Sequence, residues 1–191
     1  MKELKGSRTE KNLLTAFAGE SQARNRYTFF ANKARKEGYE QIAWFFLDTA
    51  DNEKEHAEML YKHLTGGTAE ISASFPAGVI GTTAENLAEA AAGENYEHTQ
   101  MYPEFAKIAV EEGFEEVSRT FRAIMIAERQ HERRYLGLLE NIKKDAVFKK
   151  DRPVKWKCRN CGFVIESKEA PAECPLCKHK REYFELLCEN W

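Results

Sequence analysis

Two short stretches of this chain pair a carboxylate with an imidazole at the same spacing. Glu53-Lys54-Glu55-His56 and Glu128-Arg129-Gln130-His131 each place a Glu three residues before a His. Closer to the C-terminus, Cys158-Arg159-Asn160-Cys161-Gly162 and Cys174-Pro175-Leu176-Cys177 form two Cys-x-x-Cys pairs. Carboxylates with one imidazole per metal suit iron or manganese better than copper, whereas four thiolates favour a tetrahedral zinc or iron site. The chain thus carries donors for two metal centres of different chemistry.

A Glu and a His at i and i+3 face the same way only on a helix. The residues around them supply that helix. Ile42, Phe46, Thr49, Glu53, His56, Leu60 and His63 alternate steps of four and three, as do Val117, Phe121, Ile124, Glu128, His131, Tyr135 and Leu138. Such a stripe is the face a bundle helix turns toward its partners, so both pairs are expected to point into a core. An unpaired carboxylate there is costly, and a shared cation offsets that cost. Two further carboxylates lie in similar settings: Glu20 on the stripe of Leu13, Phe17, Arg24 and Tyr27, and Glu94 after Leu87 and Ala91.

An internal repeat organises these stripes. Ala18-Gly19-Glu20 matches Ala92-Gly93-Glu94 at an offset of 74, while Gly38-Tyr39-Glu40 matches Gly113-Phe114-Glu115, and Glu53 and His56 match Glu128 and His131, at an offset of 75. The unit is a helical hairpin turning at Gly38 or Gly113, where a left-handed residue ends a helix without strain. Helices are expected over residues 9–37, 39–64, 83–112 and 114–144. Residues 65–82 hold Gly66, Gly67, Pro76, Gly78 and Gly81 and exceed a tight turn, so they read as a long crossover along the bundle.

The change of offset has a structural meaning. Tyr27 matches Tyr102 at the new offset, so one residue has entered the third helix between Glu94 and Tyr102. A helix that must keep register on both sides absorbs such a residue as a π-bulge, a feature frequent at functional sites. Pro103, which removes a backbone donor and crowds the carbonyl of Thr99, supports a local break. Glu97 falls in that turn with Gln22 or Ala23 opposite it in the first copy, which makes it a candidate seventh ligand without a symmetry mate.

After Lys144 the helical pattern stops. A basic linker with Lys149, Lys150, Arg152 and Pro153 leads to Trp156 and the cysteine pairs, between which Phe163, Val164 and Ile165 leave room for a short hairpin. With little core beyond Trp156, Phe163, Tyr183 and Phe184, the metal is expected to be integral to folding. The domains expected are 1–146, a linker at 147–153, and 154–191. Cys188, after Leu186 and Leu187, reads as a packed thiol rather than a ligand.

One Glu from each of two helices plus Glu-x-x-His from each of two others is the ligand pattern of ferritin-like di-metal bundles, which also have one long crossover. With the cysteine pairs added, the sequence resembles the rubrerythrin family over nearly its whole length. The knuckles Cys-x-x-Cys-Gly and Cys-Pro-Leu-Cys resemble those of rubredoxin, separated by a much shorter stretch than in the free-standing protein. The resemblance implies a mainly α protein: a ferritin-like four-helix bundle followed by a small rubredoxin-like metal-binding β domain. It implies two irons at Glu20, Glu53, His56, Glu94, Glu97, Glu128 and His131, and one iron, with zinc as the other option, at Cys158, Cys161, Cys174 and Cys177. It further implies an NADH-linked reductase of hydrogen peroxide acting in oxidative-stress defence, re-reduced through the thiolate iron by rubredoxin or an NADH-dependent reductase, in a homodimer that brings one subunit's thiolate iron to the other's di-iron site.

Tyr27 and Tyr102, repeat mates near the ligand level, are either core aromatics or donors to a ligand carboxylate or bound substrate. His63 reads as structural, His98 as outward-facing and His179 as an exposed loop residue. The net charge of −2 gives no electrostatic reason for nucleic-acid or membrane binding. The charged N-terminus reads as no signal peptide and no stretch spans a bilayer, so a cytoplasmic protein is expected. Lys and Arg around Trp156 lack a compact nucleic-acid-reading element and read as a solvated linker or the dock for an acidic redox partner. Two other functions use the same residues: a ferroxidase or iron-storage bundle, which needs no thiolate donor, and a zinc ribbon on a helical scaffold, which needs no inward carboxylates.

Overall fold

The computed structural model describes residues 3–191. Helix α1 (Arg8–Lys36) begins where Ser7 Oγ accepts the Glu10 N–H at 3.0 Å. It ends at Gly38, whose φ of 82° lets the Tyr39 N–H reach Ala34 O at 2.9 Å. That left-handed step turns the chain into α2 (Glu40–Tyr61), which packs along α1. The second hairpin turns the same way, with Gly113 at φ 81° and Phe114 N–H bonded to Ala109 O at 2.7 Å, before α5 (Glu115–Lys143).

The third helix is interrupted as the offset requires. α3 (Thr83–Tyr96) starts with a capping box between Thr82 and Glu85, the segment Glu97–Met101 is a π turn, and α4 (Tyr102–Glu111) completes the helix. In the π turn the Tyr102 N–H reaches back to Glu97 O. Pro103 then falls in the first turn of α4, where its missing N–H breaks no helical ladder.

The hydrophobic core is in two parts with a polar layer between them. One cluster contains Ala23, Tyr27, Phe30, Phe46, Ala50, Leu87, Ala91 and Tyr135; the other contains Leu13, Ala16, Leu60, Tyr102, Phe121 and Ile124. On each helix the gap between the clusters holds the expected ligands: Glu20 after Ala16, Glu53 and His56 after Ala50, Glu94 after Ala91, and Glu128 and His131 after Ile124. Each fully buried large side chain contributes about 1.5–3 kcal/mol, so the apolar clusters above and below can hold a layer that is itself unfavourable to bury.

The crossover, residues 65–82, is irregular and runs over α1, where Gln22 Nε2 donates to Pro76 O at 2.9 Å and Phe75 lies against Gly19. After α5 a three-stranded sheet of order β2-β1-β3 forms from β1 (Lys149–Cys158), β2 (Val164–Glu169) and β3 (Phe184–Leu186). Trp156 pairs with Ile165 on one side and Leu186 on the other, and is fully buried. Lys149 to Pro153, expected as linker, belong to β1. The strand tolerates Pro153 because its register slips between Lys149 and Val154, so no ladder donor is needed there. The small domain touches the bundle through Phe148 stacked on Tyr39, 6.3 Å between ring centroids, and through the Arg159 guanidinium 5.3 Å over Trp44.

Candidate metal centres

The six bundle residues converge as two overlapping sets. Glu20, Glu53, His56 and Glu128 each offer a ligand atom within 4.8 Å of the others, and so do Glu53, Glu94, Glu128 and His131. Glu53 and Glu128 belong to both sets. The arrangement therefore has two cation positions, each with its own carboxylate and imidazole, joined by two carboxylates with an oxygen for either side. His56 Nδ1 lies 2.8 Å from Glu128 Oε1 and 2.9 Å from Glu53 Oε2, and His131 Nδ1 lies 2.7 Å from Glu128 Oε2 and 3.3 Å from Glu53 Oε1.

Unmet polar atoms test whether metal fits here. Glu20 Oε2, Glu94 Oε2, Glu128 Oε1, both oxygens of Glu53 and His56 Nδ1 are buried without a directed hydrogen bond, although some approach one another closely. Four buried carboxylates with two imidazoles are short of both donors and positive charge. Two divalent cations supply that charge, and the donor set fits them.

Without metal the same deficit appears as proton uptake. Burial, against the opposing hydrogen bond from His56, raises Glu20 to about 7. Burial first, and then the Glu53 charge, raises Glu94, and burial with neighbouring carboxylates holds Glu128 well above the carboxylate range. Glu53 is also buried, but hydrogen bonds with both imidazoles bring it down to about 2. His131 is desolvated, yet its carboxylate partners lift it to about 12, and His56 rises for the same reason. Protons therefore occupy the charge deficit that cations would fill.

The tyrosines cross between helices. Tyr27 Oη on α1 donates to Glu94 Oε1 on α3 at 2.5 Å, while Tyr102 Oη on α4 donates to Glu20 Oε1 on α1. Burial pushes both phenols well above their ordinary range, so they stay protonated as donors. Each holds one oxygen of an unshared carboxylate and leaves the other facing the site.

Glu97 stands apart. It lies in the π turn but is not among the groups converging within 4.8 Å. Burial, and then the charge of Glu20, raises its carboxyl well above the usual range. His98, expected to face outward, instead meets Glu132 on α5 with Nε2 at 2.6 Å, because the π turn rotates it toward that helix. His63 Nε2 pairs with Thr120 Oγ1 at 2.8 Å. Sequence reasoning missed Asn52, whose Oδ1 lies 3.1 Å from His131 Nε2, and Arg134, which bonds Asp48 and Thr49. The available signal for Asn52 was a polar side chain immediately before Glu53, on the flank of the inward stripe.

The four cysteines converge from two similar turns. All four sulfurs lie within 4.8 Å, with Cys158 Sγ 3.7 Å from Cys177 Sγ and Cys161 Sγ 3.6 Å from Cys174 Sγ. Gly162 and Lys178 take positive φ just after each pair, and their N–H groups bond to Cys158 O and Cys174 O at 2.9 and 3.0 Å. The His179 backbone N–H stabilises the Cys177 thiolate and lowers it to about 6. The His179 ring packs edge-on against Tyr183 at 4.5 Å, and its Nδ1 lies 3.2 Å from Cys177 O. Cys188 is exposed rather than packed, since it lies beyond the end of β3 with no layer to cover it.

The Rubrerythrin family model matches residues 11–139, and the model for the rubredoxin-like domain of rubrerythrin matches residues 156–185. Rubrerythrin of Porphyromonas gingivalis is 58% identical over 190 residues, covering 100% of this chain and 95% of that protein. Rubrerythrin of Nitratidesulfovibrio vulgaris is 56% identical over 191 residues, covering 100% of both. Among solved structures, the mixed-valent state of nigerythrin matches with a TM-score of 0.63 at 33% identity, covering 97% of this chain and 89% of that one. Bacterioferritin BfrA of Mycobacterium tuberculosis, with a TM-score of 0.64 at 19% identity over 75% of this chain and 90% of its own, shares the fold alone.

Proposed function

The chain belongs to the rubrerythrin family of di-iron oxidoreductases, and from that premise we propose that it reduces hydrogen peroxide to water in defence against oxidative stress. The mainly helical ferritin-like bundle and the three-stranded four-cysteine domain match that family, and their two sites match iron cofactors. The observation that carries the reading is the sharing of Glu53 and Glu128 between two ligand sets in a chain that also holds four converging thiolates. A paired site can act on two electrons at once, whereas a tetrathiolate site handles one.

Bound iron would supply two-electron reduction of a peroxide bond at Glu20, Glu53, His56, Glu94, Glu128 and His131, and one-electron transfer at Cys158, Cys161, Cys174 and Cys177. The protein's own residues do the rest. Glu53 and Glu128, common to both ligand sets, would each serve both metal positions. Tyr27 and Tyr102 orient Glu94 and Glu20 by hydrogen bonds, so that each unshared carboxylate presents one oxygen inward. Glu97, in the π turn and acted on by the Glu20 charge before that of any other carboxylate, is the further ligand or acid at the Glu20 end of the site. The side chain of His56 is 14% exposed and that of His131 only 3%, so peroxide reaches the His56 side first.

Return of electrons is NADH-linked through rubredoxin or an NADH-dependent reductase. A homodimer in the cytoplasm, with no nucleic-acid or membrane partner, is the assembly we propose. No helix among the described residues is long and apolar enough to cross a membrane. Stopped-flow mixing of the fully reduced, iron-loaded chain with peroxide or with oxygen tests the reaction: peroxide is expected to oxidise the bundle site far faster. Oxidation by oxygen at an equal or greater rate would support a ferroxidase instead.

A further inference from the structure

The two histidines of the bundle are repeat mates, yet they are held differently. His131 turns Nδ1 to the carboxylates, 2.7 Å from Glu128, 3.3 Å from Glu53 and 3.7 Å from Glu94, while its Nε2 lies 3.1 Å from Asn52 Oδ1. A carboxamide oxygen only accepts, so this contact keeps a proton on Nε2; when a metal displaces the Nδ1 proton that now meets Glu128, it is the Nδ1 lone pair that faces the site. Asn52 sits on α2 and His131 on α5, so the bond also ties together two of the helices that supply ligands.

His56 has no such tie. It also turns Nδ1 inward, 2.8 Å from Glu128 and 2.9 Å from Glu53, but no hydrogen bond from its Nε2 is present among the described residues. At the repeat offset that aligns His56 with His131, the counterpart of Asn52 is Ala127, whose methyl group accepts nothing. One imidazole is thus held on both nitrogens and the other on one only.

We propose that Asn52 is a positioning residue that fixes His131 as the Nε2-protonated tautomer with Nδ1 aimed at its metal position, and that Ala127 leaves His56 without an equivalent. The proposal rests on the bundle centre being a two-metal site. Outer partners of a metal-bound histidine set its orientation and basicity, and removing one typically costs 10–100-fold in metal affinity.

The test uses the full chain with 15N-labelled histidine, loaded with Zn(II) alone as a diamagnetic probe. In the unsubstituted protein, long-range proton–nitrogen spectra are expected to show His131 bound through Nδ1, with an Nε2 proton exchanging at least about tenfold more slowly than that of His56. Asn52→Ala is expected to abolish that difference and to weaken the zinc position at His131 by roughly 10–100-fold. Asn52→Asp, which accepts the same N–H, should restore both. The proposal is overturned if His131 binds through Nε2 in the unsubstituted chain, a result needing no variant, or if Asn52→Ala changes neither exchange nor affinity. Uptake of zinc by the four cysteines only would instead overturn the two-metal reading, and this proposal with it.

Discussion

The bundle centre and the four-cysteine site hold metal in opposite ways. The first is a buried polar layer between two apolar clusters, assembled from four helical segments far apart in sequence. The second is made by two tight turns, Cys158–Cys161 and Cys174–Cys177, in a domain whose apolar centre is Trp156, Ala170, Phe184 and the cysteines themselves. Metal at the bundle centre offsets the cost of a layer that the surrounding core can already hold together. In the small domain metal substitutes for a core. The difference teaches that losing metal should loosen one region and unfold the other.

The largest expected effect follows directly. Cys174→Ala should abolish the three-stranded fold, because a structural metal of this kind is worth about 10–16 kcal/mol in small metal-binding modules, while the helices of residues 8–143 survive. Circular dichroism together with amide spectra of Trp156 and its strand neighbours would measure this. A domain that stayed folded would mean that its apolar centre suffices.

Within the bundle, shared and unshared ligands should separate next. Glu128→Ala removes a ligand from both positions and is expected to abolish metal binding there, whereas Glu94→Ala should cost one metal and leave the Glu20/His56 position partly occupied. Metal content per chain distinguishes them. Equal loss in both variants would contradict the two overlapping sets.

Removing all metal from the bundle should reverse its response to pH. In the metal-free chain Glu20, at about 7, stabilises the fold below its ordinary value of 4.5, and this contribution is lost as pH rises to about 7. His131, at about 12, contributes fully below 6.5 and loses its contribution as pH rises from there. Glu53, at about 2, acts oppositely, but its contribution is complete above 4.5 and fades only toward 2. Stability of the metal-free bundle is therefore expected to fall between pH 5 and pH 8, by roughly 5–10 °C in Tm. The metal-bound form should gain stability over the same range, since protons compete with metal for the ligands. Parallel thermal melts of the two forms would check the sign.

The smallest effect belongs to the tyrosines. Tyr102→Phe removes one donor to Glu20 and is expected to cost about 1.5–3 kcal/mol, typical of a hydrogen bond to a charged group. It should leave the four-cysteine spectrum unchanged. A Tyr27→Phe variant that lost the same amount would confirm that the two crossings are equivalent.

The same contrast explains what could be read from the residues alone. Local spacing reveals the cysteine turns, and the step in offset from 74 to 75 places the π turn between Glu94 and Tyr102. The six convergent ligands were legible because each sits on an inward stripe. Lateral contacts were not, because they depend on how far each helix is rotated against its neighbour. Asn52 against His131, His98 against Glu132 and the crossed tyrosine bonds all fall in that class. Glu97 was legible as a residue of the π turn from its place three residues after Glu94. The small domain hid its edges for another reason: Lys149 to Pro153 look like solvated linker until β2 supplies a partner strand, and Cys188 follows apolar residues that end a sheet rather than fill a core.

The most direct test of the central claim is to mix the anaerobically reduced, iron-loaded chain with one equivalent of hydrogen peroxide while following the visible spectrum and the iron content. About three irons per chain, with rapid loss of two electrons from the bundle pair and then growth of the red colour of the ferric tetrathiolate as that centre returns one electron to the bundle, is the predicted result. A chain holding one zinc at the cysteines and no bundle metal, or a bundle pair that peroxide leaves reduced, would contradict it.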